Sequence, residues 1–162
     1  PIGRGFPTDG VKKARLLGGG IGVAPLLFLA RRLREAGAKV SAYLGFRSAE
    51  FAILAGDFAK LGCEVSLFSD DGTIGQKGFA VNGLIAREDG SPVFTCGPKP
   101  MFRALQTALP PQTPAWASLE ERMGCGVGAC LGCTVGIREE RGVRNRRVCV
   151  DGPVFPLSEV VL

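Results

Sequence analysis

The chain has 162 residues, 46% hydrophobic and 22% charged, with a formal net charge of +5. That length suits one domain, or one domain with a small module. A modest charge with one Tyr and one Trp does not make a nucleic-acid surface, and the absence of His excludes Rieske ligation, mixed cysteine–histidine zinc and Ser-His or Cys-His catalysis.

The first ten residues are rich in Gly and Pro and read as a linker. From Val11 to about Met101, short apolar strands alternate with helical stretches. Arg15–Leu17 reads as a buried strand, and Gly18–Gly22 as a turn opening a helix from about Ala24 to Glu35, ended by Gly37. Val40–Gly45 is a second strand, Glu50–Leu61 a second helix and Glu64–Phe68 a third strand. Lys77–Arg87 reads as helix, Pro92–Thr95 as strand and Pro98–Leu109 as helix. This alternation predicts a parallel, doubly wound α/β sheet with helices on both faces. The apolar run Ile21–Ala30 is too short to span a bilayer and runs into Arg31 and Arg32. No signal peptide is recognisable, and six cysteines in a chain that is not a short cysteine-dense secreted scaffold point to the reducing cytoplasm.

Composition changes after Pro110-Pro111. Ala115–Leu119 reads as one more strand of the sheet. A cysteine loop, a strand over Thr134–Ile137, a turn near Gly142 and a strand ending at Val150 follow. The expected organisation is a linker over 1–10, a nucleotide-binding domain over 11–119 and a small cluster-binding module over 120–162.

Two motifs carry chemistry. Gly18-Gly19-Gly20-Ile21-Gly22-Val23-Ala24-Pro25 lies between the first strand and first helix. Glycines there let the backbone approach a pyrophosphate, and the helix N-terminus favours its charge. Pro25 stands where a Rossmann fingerprint has its third Gly, and Gly45-Phe46-Arg47-Ser48 supplies no acidic residue after the second strand. The second motif is Cys125, Cys130 and Cys133 in a C-x4-C-x2-C run, followed after fifteen residues by Cys149. This is the plant-type spacing of a [2Fe–2S] cluster. Interspersed glycines bare N–H groups toward the sulfurs. Structural zinc is the alternative at this point, although four-cysteine zinc sites more often use paired short knuckles. Arg141, Arg144, Arg146 and Arg147 precede Cys149, either as a solvated hairpin face or as a dock for an acidic partner.

These motifs together resemble the ferredoxin–NAD(P) reductase superfamily, in which a G-x-G-x-x-P turn is followed by a C-G-P motif, here Cys96-Gly97-Pro98. The cluster spacing, the stretch Asp71–Gly78, the run Ser118–Gly126 and the opening Pro1–Phe6 resemble in particular the electron-transfer subunits of type B dihydroorotate dehydrogenases. The resemblance implies NAD(H) bound through Gly20, Gly22 and Pro25, with Cys96 and Gly97 beside the nicotinamide. It implies FAD held mostly by an N-terminal barrel that precedes this chain, and a [2Fe–2S] cluster on Cys125, Cys130, Cys133 and Cys149. Electrons would pass between NADH, FAD, the cluster and an FMN-containing catalytic subunit in a heterotetramer serving pyrimidine biosynthesis, with neither nucleic acid nor membrane as a partner. Asp70 and Asp71 after the third strand would favour NADH over NADPH by repelling a 2′-phosphate, or would simply form a turn. No catalytic acid–base residue is expected. Reductase subunits of sulfhydrogenase, sulfite reductase or transhydrogenase type share the nucleotide domain, and a zinc-stabilised regulatory nucleotide-binding module is the rival of another class.

Overall fold

A computed structural model describes residues 3–162; Pro1 and Ile2, the start of the expected linker, lie outside the described residues. The strands are β1 (Lys13–Gly19), β2 (Lys39–Phe46), β3 (Glu64–Ser69), β4 (Gln76–Lys77), β5 (Val93–Cys96), β6 (Ala115–Ser118), β7 (Thr134–Glu139), β8 (Gly142–Arg147) and β9 (Val154–Pro156). The helices are α1 (Val23–Glu35), α2 (Ala55–Lys60), α3 (Ala80–Ile85) and α4 (Lys99–Ala108). One sheet has the order β4-β3-β2-β1-β5-β6-β9, and β7 and β8 form a separate hairpin. Strands β1 to β6 run parallel, and β9 pairs antiparallel with β6. This is the ferredoxin-reductase type of doubly wound α/β fold.

The pleat of β1 shows why both faces are covered. Ala14 and Leu16 join Val23, Leu26, Leu29, Ala30 and Leu33 of α1 in one core. Leu17 points into the other, with Val81 and Leu84 of α3 and Phe102 and Leu105 of α4. Buried residues of α1 recur at helical spacing, which turns one apolar stripe to the sheet. Gly37, at φ 82°, ends that helix: Gly37 N–H donates to Arg34 O (2.9 Å) and Ala38 N–H to Leu33 O (2.9 Å), the paired bonds of a Schellman cap.

Several boundaries differ from the sequence expectation. The helix expected over Glu50–Leu61 is a single 3-10 turn, Ala49–Phe51, and then the short α2. Four consecutive residues, Ala52 to Ala55, pack against the core under α1. A continuous helix presents only a stripe to one side, so the chain extends at Ala52 and turns left-handed at Leu54 (φ 60°) instead. The helix expected from Lys77 begins at Ala80. Gln76 and Lys77 instead continue the sheet beside Phe68 and Ser69, and Gly78 at φ 126° makes the exit. The strand expected to end at Val150 stops at Arg147, where a turn begins.

The sequence gives no hint of β9. Residues expected to form a self-contained module thus contribute an edge strand to the nucleotide sheet, and Cys133, Val135, Val148, Cys149, Phe155 and Leu157 share a core with Leu17 and Phe102. The side-chain amide of Gln106 on α4 adds a tie by donating to Leu157 O (2.6 Å) and Val160 O (2.8 Å). Val161 N–H in turn reaches Gly136 O on β7 (2.9 Å).

Among the described residues, Arg15 is the one charged residue with a fully buried side chain, 1% exposed. Its guanidinium donates to Glu88 Oε2 (2.5 Å), Glu88 Oε1 (3.0 Å) and Ser91 O (2.7 Å). Its Nε has no hydrogen bond and lies 3.5 Å from Asp89 Oδ1. Burial opposes ionisation of Glu88, but bonds from Arg15, Gly90 and Thr113 outweigh it and hold the carboxyl below its ordinary range. Asp89 is lowered too, with Lys13 and Ser91 overcoming burial. Arg15→Ala is therefore expected to lose about 3 kcal/mol in urea unfolding, because a half-buried carboxylate is left without its partner. Both carboxyls are depressed in the fold, so their contribution is present above the unfolded carboxylate pKa and is lost as pH falls through the folded values. Thermal stability should therefore drop below about pH 4, and Glu88→Gln should flatten that drop.

Candidate functional site

The order of the parallel strands reverses between β1 and β5, where Gly18 pairs with Cys96. In open α/β sheets the crevice at such a switch point is where ligands bind. The turn after β1 enters this crevice as a 3-10 turn, Gly20–Gly22, that leads directly into α1. Gly20 sits at φ 55° with open space around it, the left-handed backbone glycine tolerates best. Gly22 is constrained by space instead. A Cβ there would lie 2.7 Å from Gly97 N and closer still to Cys96 O. The glycine turn is thereby seated on the backbone of the C-G-P motif, and Gly97 approaches Gly19 in return. Pro25 lies in the first turn of α1, where its missing N–H breaks no bond.

Two cavities flank the turn. The larger, about 830 Å³, is lined by Gly20, Gly22, Cys96 and Gly97 on one side and by Glu121, Thr134 and Val161 on the other. It lies between the sheet and the cysteine-bearing segment. An ion pair of Lys99 Nζ with Glu121 Oε1 (2.6 Å) joins its two walls. Cys96 is half-buried there, and burial raises its thiol despite a bond from Ser118. The smaller cavity, about 460 Å³, lies over the C-terminal ends of β1, β2 and β3, with Gly20, Arg47, Asp70, Phe79 and Met101 in its lining. The structure thus brings Gly20 to both cavities, Gly22, Cys96 and Gly97 to the first, and Asp70 to the second. Pro25 lines neither.

Asp71 departs from the expectation. Its Oδ1 accepts from Thr73 N–H (2.9 Å) and Thr73 Oγ1 (2.7 Å), and those bonds lower its pKa. Its carboxylate is spent on the turn and does not line the cavity. Phe79, 66% exposed at the cavity wall, was not singled out in the sequence, where it reads as part of a helix.

The cysteines fall into two pairs. Cys125 and Cys130 are exposed, Cys133 and Cys149 buried. Cys130 N–H donates to Cys125 Sγ (3.4 Å) and Cys125 N–H to Cys130 Sγ (3.4 Å). Val127 and Ala129 N–H also reach Cys125 Sγ (3.4 and 3.3 Å), and Gly132 N–H reaches Cys130 Sγ (3.4 Å). The N–H groups of Cys130 and Val127 bring the Cys125 thiol down to about 6. In the second pair, the N–H of Cys149 lowers the Cys133 thiol, while burial raises that of Cys149. Val148 N–H donates to Cys133 O (3.0 Å), which fixes the turn against the end of the loop.

Among the described residues, no three metal-binding side chains converge on a single ion. A [2Fe–2S] cluster takes its four thiolates two per iron; here the exposed pair, Cys125 and Cys130, has N–H donors around both sulfurs, and Cys133 and Cys149 form the buried pair. Of the four arginines before Cys149, Arg144 and Arg146 pair with Glu139 and Arg147 with Asp151. Three of the four arginines thus have a carboxylate partner close by, with two carboxylates shared among them.

Comparison with known proteins follows the same division. Residues 120–161 match a family described as the iron–sulfur cluster binding domain of dihydroorotate dehydrogenase B. Over 100% of its length the chain is 45% identical to the dihydroorotate dehydrogenase B (NAD(+)) electron transfer subunit of Shouchella clausii, covering 63% of that protein. It is 42% identical to the same subunit of a Geobacillus species, again covering 63%. The chain therefore spans somewhat less than two thirds of these relatives. Among solved structures, an NADH-dependent reduced ferredoxin–NADP oxidoreductase studied for flavin-based electron bifurcation superposes with a TM-score of 0.85 at 29% identity, over 99% of this chain and 58% of that one. An intact type IV self-sufficient cytochrome P450 monooxygenase, at 20% identity and TM-score 0.58 over 83% of this chain and 23% of that one, shares the fold.

Gly22→Ala should push the turn off the Cys96–Gly97 peptide. The expected result is a lower thermal midpoint and at least a tenfold weaker affinity for nicotinamide nucleotide, checked by calorimetric titration; Gly20→Ala, strained but not blocked, should do less.

Proposed function

We propose, on the premise that residues 120–161 belong to the iron–sulfur cluster binding domain of dihydroorotate dehydrogenase B and that the whole chain is homologous to that enzyme's electron transfer subunits, that this chain is the nucleotide- and cluster-binding part of such a subunit. The observation that carries the reading is a glycine turn at the sheet's switch point in the same chain as a loop whose N–H groups ring the sulfurs of Cys125 and Cys130.

In this reading NADH lies across both cavities. The turn Gly20–Gly22 and the positive N-terminal end of α1 hold the pyrophosphate. The smaller cavity takes the adenosine half, with the Asp70 carboxylate disfavouring a 2′-phosphate and accepting from ribose hydroxyls. Cys96 and Gly97 face the nicotinamide in the larger cleft. Cys125, Cys130, Cys133 and Cys149 hold a [2Fe–2S] cluster, and FAD is held mostly by the segment that the longer relatives carry beyond this chain. When bound, these groups supply hydride acceptance and one-electron transfer. The chain's own residues supply position, exclusion of water and electrostatic tuning, and none is required as a proton donor.

The partner is the catalytic subunit of a dihydroorotate dehydrogenase. Its FMN, a heterotetrameric assembly and a cytoplasmic setting belong to the same reading. No described helix is long and apolar enough to cross a membrane.

Purified, iron-reconstituted chain should show the visible absorption of an oxidised [2Fe–2S] centre and an EPR signal after reduction, each lost on Cys149→Ser. A colourless chain carrying stoichiometric zinc would sink the reading. The chain should also bind NADH more tightly than NADPH, and Asp70→Ser should narrow that preference about tenfold. Equal affinities in the unmodified chain remove the role given to Asp70.

A further inference from the structure

Resting on the [2Fe–2S] reading above, we propose that Arg147 is the positioning and tuning residue of the cluster, a fixed cation that joins the two cysteine pairs and raises the cluster's reduction potential. Its guanidinium is held at three points. Nε lies 3.0 Å from Asp151 Oδ2 and Nη2 3.3 Å from Asp151 Oδ1, while Nη1 donates to Gly128 O at 3.2 Å. The Arg147 N–H also donates to Asp151 Oδ2 (2.9 Å), and Asp151 N–H returns a bond to Arg147 O (2.8 Å).

Residues 147 to 151 are thereby closed into a turn with Cys149 at its centre. Gly128 stands midway between Cys125 and Cys130 in the loop. One side chain therefore fastens the turn that offers Cys149 to the loop that offers the exposed pair. Gly128 leaves the room: at φ 82° it takes a left-handed backbone, and a Cβ there would lie 3.2 Å from Arg147 Nη1. Among the four arginines of the hairpin, Arg144 and Arg146 are drawn toward Glu139 and Arg141 sits at the turn preceding β8. Arg147 alone of these reaches the cysteine loop.

The electrostatic consequence has a definite sign. Reduction adds one negative charge to a cluster already made anionic by four thiolates, so a nearby cation stabilises the reduced form. Arg147 stands two residues before Cys149 and is bonded to the loop that carries Cys125 and Cys130. Asp151, paired with Arg147 at 3.0 Å, offsets part of that cation. Removing the cation should lower the midpoint potential, and removing the anion should raise it. The Arg147 side chain is 36% exposed, so salt should screen part of the effect.

The test is an EPR-monitored redox titration of the reconstituted chain and of three variants. Arg147→Gln is expected to shift the midpoint downward, Arg147→Lys to stay near the parent value, and Asp151→Asn to shift it upward. The gap between parent and Arg147→Gln should narrow as ionic strength rises. An unchanged midpoint in both Arg147→Gln and Asp151→Asn, with the cluster spectrum intact, overturns the role of Arg147 and leaves the cluster standing. A shift of the same sign in both variants also overturns it, since loosening of the loop would not distinguish a cation from an anion. A parent chain without the iron–sulfur spectrum overturns the cluster reading and this inference together.

Discussion

Pairing of β6 with β9 is the contact on which the rest of the molecule depends. Three residue pairs, Trp116 with Pro156, Ala117 with Phe155 and Ser118 with Val154, bring the chain back onto the nucleotide sheet after the cysteine loop. Without them the last forty or so residues would be a hairpin with too little apolar surface to fold alone. With them, Phe155 and Leu157 fill a core that already contains Leu17 and Phe102. The same pairing fixes the wall of the larger cleft, because Leu119 N–H reaches Pro153 O (2.8 Å) just where the chain leaves for the cysteine loop. Gln106 and the Lys99–Glu121 pair add polar ties at either end of that joint. A rigid joint suits electron transfer, in which the protein sets distance and surroundings rather than making bonds.

Much of this was legible from residue order because it rests on local physics. Alternating apolar runs gave the parallel sheet, glycine at 37 gave the end of α1, and cysteine spacing singled out the four residues that the fold arranges as an exposed and a buried pair. What escaped depends on contacts far apart in sequence. Val154–Pro156 contains a proline and is three residues long, so no periodicity marks it as an edge strand. Residues 52–55 are apolar enough for a helix, and only their simultaneous burial forbids one. Asp70 and Asp71 are adjacent and chemically alike, yet one lines a cavity and the other caps a turn through Thr73. The boundary expected near residue 120 is crossed in space by β9, which returns to pair with β6.

Arg15 was read as one residue of a buried strand, with nothing said of its charge. Its partners, Glu88 and Asp89, lie more than seventy residues away, just past the helix expected over Lys77–Arg87, and no local pattern marks them. A cation in the pleat of a central strand is tolerated because the Glu88 carboxylate takes two of its donors and Ser91 O a third, with Asp89 beside the remaining Nε. It also ties the segment leading into β5 to β1, and so to the floor of the switch point.

The contact of Gly22 with residue 96 has a consequence for how such a site can diversify. Gly22 rests on the carbonyl and following amide of Cys96 and not on its sulfur. Exchanging the thiol for another small group would therefore leave the glycine turn undisturbed, whereas any side chain at position 22 would disturb it whatever stood at 96. The cradle and the reactive wall of the cleft are mechanically joined through main chain but chemically independent. A substitution at 96 that leaves the main chain in place therefore needs no compensating change in the glycine turn.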